Sequence, residues 1–173
     1  MEHFAIARRS SPRPAKSVLI EVWEITELVA DHTRIHRICA MLDASAHRAN
    51  LSATDRAEIA QEVENAFDMR IRVIDSVLSR LFGPRPEGFE DSILAKLLRR
   101  QIHDALDAKN LSEALILADD PPNTATLVEM LIEMEASVQH TLHLEVLALL
   151  MLLADRLTLP ARHSLEQLLL FKR

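Results

Sequence analysis

His32 and His36 stand four residues apart in a segment that reads as helix. Two imidazoles at i and i+4 share one helix face, and their nitrogens converge well enough to chelate a transition metal. On a helical wheel both fall inside an apolar stripe of Val18, Val22, Ile25, Val29, Ile35 and Cys39, with Glu21 at its edge. A second anomaly lies further on. The stripe Ile59, Val63, Phe67, Ile74, Val77 and Leu81 has Arg70 in its middle. A buried guanidinium needs a carboxylate, because an unpaired one costs several kcal/mol. Glu145, set among leucines, and Glu21 are the two candidates for that partner. The chemistry open to this set is of two kinds: a metal held by His32 and His36, or a carboxylate or anion held by Arg70, Glu21 and Glu145. The plainer expectation is a fixed ion pair that sets helix register.

Other polar pairs carry less. Glu129, Glu133, His140 and His143 project from one side of a later helix and read as a solvated face. His103 and Asp107 are one turn apart, but His103 points away from the stripe expected for its helix, Leu94, Leu98, Ile102 and Ala105. A ferritin-like di-metal site needs a Glu-x-x-His motif on each of two helices, and none occurs. With only Gly83 and Gly88, the chain has no glycine-rich phosphate loop. It also lacks Cys-x-x-Cys, a nucleophile elbow and a helix-turn-helix with a basic second helix. Nothing in the sequence supports an enzyme.

The elements that must position these residues are helices. Leu, Ala, Glu and Arg dominate, tyrosine is absent, and strand formers are scarce outside helical patterns. The reading is all-α: a compact bundle of about three long and three short helices. The long helices are expected at 17–44, 51–82 and 126–157, and the short ones at 91–108, 111–118 and from Pro160 to Phe171. Ser52 with Asp55, and Thr126 with Glu129, offer capping boxes. Gly83-Pro84 and Asp119-Asp-Pro-Pro122 are breaks. One domain, 17–173, follows a flexible basic arm, 1–16. That arm includes Arg8-Arg9-Ser10-Ser11, which has the form of a basophilic kinase site.

Net charge is -6, but the arm, with Arg8, Arg9, Arg13 and Lys16 against Glu2, carries +3, which leaves -9 on the body. An acidic body repels phosphate backbones, so nucleic-acid binding by the folded part is not expected. Cys39 is the single cysteine and lies on an apolar face, so a buried, inert thiol is expected. The apolar stretch after Arg8-Arg9 contains Glu21, Glu24 and Glu27, which argues against a twin-arginine or mitochondrial leader. A cytoplasmic location is the default.

Nine apolar residues stand in a row from Val146 to Ala154. At about 14 Å this helical run is less than half a bilayer core, so no membrane span is expected. It must be covered by other helices or by a second copy of the chain. The preferred functional expectation is therefore a non-enzymatic interaction or regulatory bundle, acting through an apolar helix face on a protein partner or on itself, as a homodimer. The alternative is a metal- or small-ligand-binding, sensor-type bundle using His32 and His36 with Arg70. No cofactor is expected beyond the transition metal those histidines allow.

Overall fold

The computed structural model describes residues 18–48, 50–83, 92–118 and 124–170. The basic arm with Arg8-Arg9-Ser10-Ser11, the 84–91 turn, the Asp119–Pro122 break and Phe171 lie outside them. Five helices run through the described residues: α1 (Val22–Ala46), α2 (Ala53–Phe82), α3 (Ile93–Leu117), α4 (Thr124–Leu152) and α5 (Leu159–Leu168). The fold is all-helical, but with four long helices and one short one. The separate short helix expected at 111–118 is the last part of α3. Asn110 is a weak breaker, and packing overrides it. Leu111 and Leu115 are buried, while Ser112 donates to Ala108 O at 2.9 Å and Ala60 O at 3.1 Å, which fixes this end of α3 on α2.

Caps set the boundaries. Glu21, not Ser17, starts α1: its side chain accepts from the backbone of Glu24, whose own carboxylate accepts from the Glu21 amide at 2.8 Å. Ser52 and Asp55 form the expected box on α2, and Gly83, at φ 75°, ends that helix in a conformation that side chains disfavour. Thr126 lies within the first turn of α4 rather than before it. Pro160 stands in the first turn of α5, where its missing N–H costs nothing.

Helices α1 to α4 form a four-membered ring. Each packs on its neighbours, α1 closes against α4, and α5 covers one end against α1 and α4. At that end Ile20 forms a parallel bridge with Leu157, with Ile20 N donating to Arg156 O and Thr158 N to Ile20 O. Two apolar clusters fill the interior. One joins Ile35–Ala46 to Ile59–Phe67, Ala108–Leu115 and Leu127–Leu142. The other joins Ile20–Leu28 to Ile74–Leu81, Leu94, Val146–Leu153 and α5. The helices pass from one cluster to the other near residues 31, 70, 101 and 145, and there the interior is polar.

Two arginines, the buried Arg56 and the half-buried Arg156, tie off helix ends. Arg56 donates to Leu51 O at 2.9 Å, and to Leu115 O and Ala118 O at 3.2 Å, so it answers carbonyls at the C-terminus of α3. Arg156 does the same for α2, donating to Leu81 O at 2.9 Å.

The Val146–Ala154 run is not enclosed as its composition suggested. Val146, Ala148, Leu149 and Leu153 are buried, whereas Leu147 is 52% and Met151 59% exposed. A helix at the corner of a four-helix ring turns only about half its circumference to its neighbours. The other half of this run faces outward. No described helix is long and apolar enough to cross a membrane.

Candidate functional site

The polar layer is built by one or two residues from each of the four long helices. On α1, Asp31 and His32 follow Leu28 and precede Ile35 on the buried face. Helix α2 contributes Arg70, one turn from Phe67 and Ile74. Gln101 comes from α3 and Glu145 from α4. All five are buried. Arg70 donates one guanidinium nitrogen to Asp31 Oδ2 at 2.5 Å and the other to Glu145 Oε2. Gln101 Nε2 donates to the same Glu145 oxygen at 2.9 Å. His32 Nε2 lies 3.4 Å from Glu145 Oε1, and Arg34 reaches Asp31 Oδ1 at 3.3 Å from the rim.

This arrangement decides the charge states. Burial pushes Glu145 up, but the Arg70 guanidinium and then His32 outweigh it and hold the carboxyl down to about 2. Burial also works against the Arg70 charge, yet Glu145 and Asp31 raise its pKa above the ordinary arginine value. Asp31 goes the other way: desolvation raises it, and Arg70 and Arg34 only partly compensate. Two carboxylates face two guanidiniums, so the layer is close to neutral as a unit and leaves little charge for an ionic ligand. Some capacity stays unused. His32 Nδ1 has no hydrogen-bond partner, and Asp31 Oδ1 and Glu145 Oε1 have only the longer ionic contacts to Arg34 and to His32 Nε2.

The structure brings together three of the five residues singled out from the sequence: Arg70, Glu145 and His32. His36 lies one turn beyond His32, half-buried, where burial, then His32, His143 and Arg70, push its pKa down to about 4. Glu21 is elsewhere, at the exposed N-terminus of α1, and serves as its cap. Asp31 has the place beside Arg70 that Glu21 was a candidate for. Among the described residues no group of three or more His, Cys, Asp or Glu side chains is disposed to hold a metal ion. Cys39 is buried and its thiol is pushed up to about 12, chiefly by desolvation.

Asp31, Gln101 and Asp104 were not legible as site residues. Asp31 had a signal, since it stands three after Leu28 and four before Ile35. The stripe of α3 is also rotated from the expected one. It runs Leu94, Leu97, Gln101, Asp104, Ala108, Leu111 and Leu115, and Ile102 faces outward. Polar residues at 101 and 104 hid this face, because an apolar pattern cannot register them. Asp104 Oδ1 accepts from Ser137 at 3.1 Å, and Arg100 donates to Ser137 Oγ at 2.7 Å and to Thr141 Oγ1 at 3.3 Å. Burial raises the Asp104 pKa against the Thr141, Ser137 and Arg100 contacts.

Outside this layer, two surface depressions follow one another along α3 and α4 and together make an interrupted groove. One end is an open depression of about 450 Å³ with Leu97, Leu144, Leu147 and Met151 in its wall and Lys96, Arg100 and His140 among its polar groups. The other end, about 360 Å³, is lined by Leu111, Met130 and Met134 with Asp107 and Glu133. The Arg100–Ser137–Asp104 bridge separates the two. No family model, no curated protein and no solved structure matches this chain.

Proposed function

We propose that this protein is a non-enzymatic interaction module that works as a homodimer through the α3–α4 face. One observation carries the reading: Leu144, Leu147 and Met151, spaced at three and four residues along α4, stay exposed beside Ile93 of α3. An apolar stripe of that length facing water is unfavourable by about 25 cal/mol per Å², and docking a second surface removes the cost. The stripe lies over a groove rather than a flat wall, which suits a helix as the docked element. The polar layer is then structural. Its charges answer one another, and its role is to fix which helix faces meet.

The test is oligomeric state. Sedimentation velocity and light scattering should give a dimer that Leu147→Glu converts to a monomer with unchanged helicity and melting. A strict monomer across micromolar to submillimolar concentrations would remove this reading.

The second reading, a metal- or small-ligand-binding bundle, is favoured by the convergence of His32, Arg70 and Glu145 in one layer. It predicts that added Zn²⁺ or Fe²⁺ raises the melting temperature of tag-free protein, and that His32→Leu abolishes the rise. Unchanged melting with both metals sinks its metal form.

A further inference from the structure

We infer that the α3–α4 groove is self-complementary in charge, and that two copies dock face to face with their α4 helices antiparallel about a two-fold axis near His140. The inference rests on the homodimer reading above and adds which surface meets which.

The groove is polar along its length in a specific sense. Helices α3 and α4 run in opposite directions along it, since Arg100 meets Thr141, Gln101 meets Glu145 and Asp104 meets Ser137. One half carries Lys96 and no acidic side chain in its wall, while Arg100, level with Thr141 and 3.6 Å from Asp104, stands at the middle with its charge answered within its own chain. The other half carries Asp107 and Glu133 and no cationic one. Both halves have apolar floors. On α4, residues 130, 133, 137, 140, 144, 147 and 151 follow one another at steps of three and four along this face. The chain thus presents one seam, basic at one end and acidic at the other.

A two-fold axis fixes how such a seam can pair with itself. If the two α4 helices were parallel, Lys96 would lie level with its own copy, and so would Asp107 and Glu133, whereas Arg100, at the midpoint, stays level with its copy in either arrangement. Like charges placed opposite each other across an interface cost several kcal/mol. The antiparallel alternative, with the axis perpendicular to the seam at its midpoint, lays each basic end on the other copy's acidic end. The midpoint of the 130–151 seam is near His140. Met151 then meets Met130 of the second copy, Leu144 meets Ser137, and Lys96 comes beside Glu133. Every contact occurs twice, so a favourable pair and an unfavourable one are both doubled.

Cysteine cross-linking and a charge swap test this arrangement in the full-length protein. Cys39 is buried with a thiol pushed up to about 12, so it does not compete for oxidant or maleimide. His140→Cys should cross-link to itself readily. Met151→Cys alone should not, because the two copies of that residue would be about 30 Å apart, while a disulfide needs Cα atoms within about 7 Å. Adding Met130→Cys to Met151→Cys should restore cross-linking. Lys96→Glu should weaken the dimer by about tenfold or more, and Glu133→Lys on the same chain should bring it back. A dimer in which Met151→Cys cross-links to itself, or in which the double charge swap fails to recover, overturns the antiparallel seam and leaves the homodimer reading standing. A strict monomer overturns both.

Discussion

Replacing Arg70 by Met removes the guanidinium that two buried carboxylates share and leaves Arg34, at the rim, beside Asp31. Arg70 is only 2% exposed, and Asp31 and Glu145 are as deeply buried. Without the guanidinium, each carboxylate must stay ionised in a medium that solvates it poorly, or take up a proton. Breaking one partner out of a buried ion pair typically costs about 3–5 kcal/mol. That is a large part of the roughly 5–15 kcal/mol that holds a domain folded. At about 2–4 °C per kcal/mol for a chain of this size, the melting temperature should fall by roughly 6–20 °C.

The sign of the pH dependence is a sharper diagnostic than the size of the loss. In the native protein Glu145 is held at about 2, well under its ordinary 4.5. A carboxyl depressed by folding adds stability above its unfolded pKa and loses it as pH falls through the folded value. For Glu145 the contribution is about 3 kcal/mol, lost between about pH 4.5 and 2. Asp31, raised by burial, works in the opposite sense and blunts the effect. In Arg70→Met both carboxyls are raised, so the variant should lose less stability than the wild type as pH is lowered from 6 to 4, the fall due to His36 being present in both. Urea unfolding followed by circular dichroism at pH 7, 5.5 and 4 measures this. The triple variant Asp31→Asn, Arg70→Met, Glu145→Gln should recover at least half of the loss, because a buried ion cluster replaced as a set costs little. An Arg70→Met loss under about 1 kcal/mol, or a variant whose stability falls from pH 7 to pH 4 by as much as the wild type's, would refute the reasoning.

Three further outcomes are expected. His36, pushed down to about 4, contributes stability above pH 6.5 and loses it as pH falls from 6.5 towards 4; His36→Gln should flatten that limb of a melting-temperature-against-pH curve, by less than a fully buried histidine would because the ring is half-exposed. Arg56→Met strips carbonyls of α3 of their buried donor and should cost about 2–4 kcal/mol in urea unfolding, with hydrogen exchange rising first around Leu111–Leu117. Ser52→Ala removes the hydroxyl that accepts from Asp55 N at 3.1 Å and should cost about 1 kcal/mol by the same assay.

Particular residues show where sequence reasoning reached and where it stopped. Arg70 was legible because a guanidinium in the middle of a regular apolar stripe is conspicuous. Glu145 was legible for the same reason, amid leucines. Their meeting was legible only as one of two candidates, Glu145 or Glu21, since Arg70 and Glu145 are 75 residues apart and a helical wheel carries no information about which faces oppose. Asp31 and Gln101 were missed because the stripes expected for α1 and α3 ran through residues that face outward, Val18, Val22 and Ile102, and so were rotated away from the buried faces that hold them. Glu21, which the wheel put at the edge of the α1 stripe, is the exposed N-cap of that helix, ten positions before Asp31 and about 15 Å along, and so is far from the layer.

Local chemistry alone determined the helical class, the Ser52 and Gly83 boundaries and the buried, inert state of Cys39. These follow from propensity, capping and periodicity, which act within a few residues. The tertiary structure decided the rest. It joined 111–117 to α3 by packing Leu111 and Leu115, and it made Asp31 rather than Glu21 the partner of Arg70. It also left half of the Val146–Ala154 run facing outward. Composition had given that run no side, because apolarity on every side of a helix says nothing about where its neighbours stand. A corner position in a four-helix ring has neighbours on two sides only, and that geometry left one side of a run that the sequence assigned either to other helices or to a second copy as the surface where a second copy is proposed to dock.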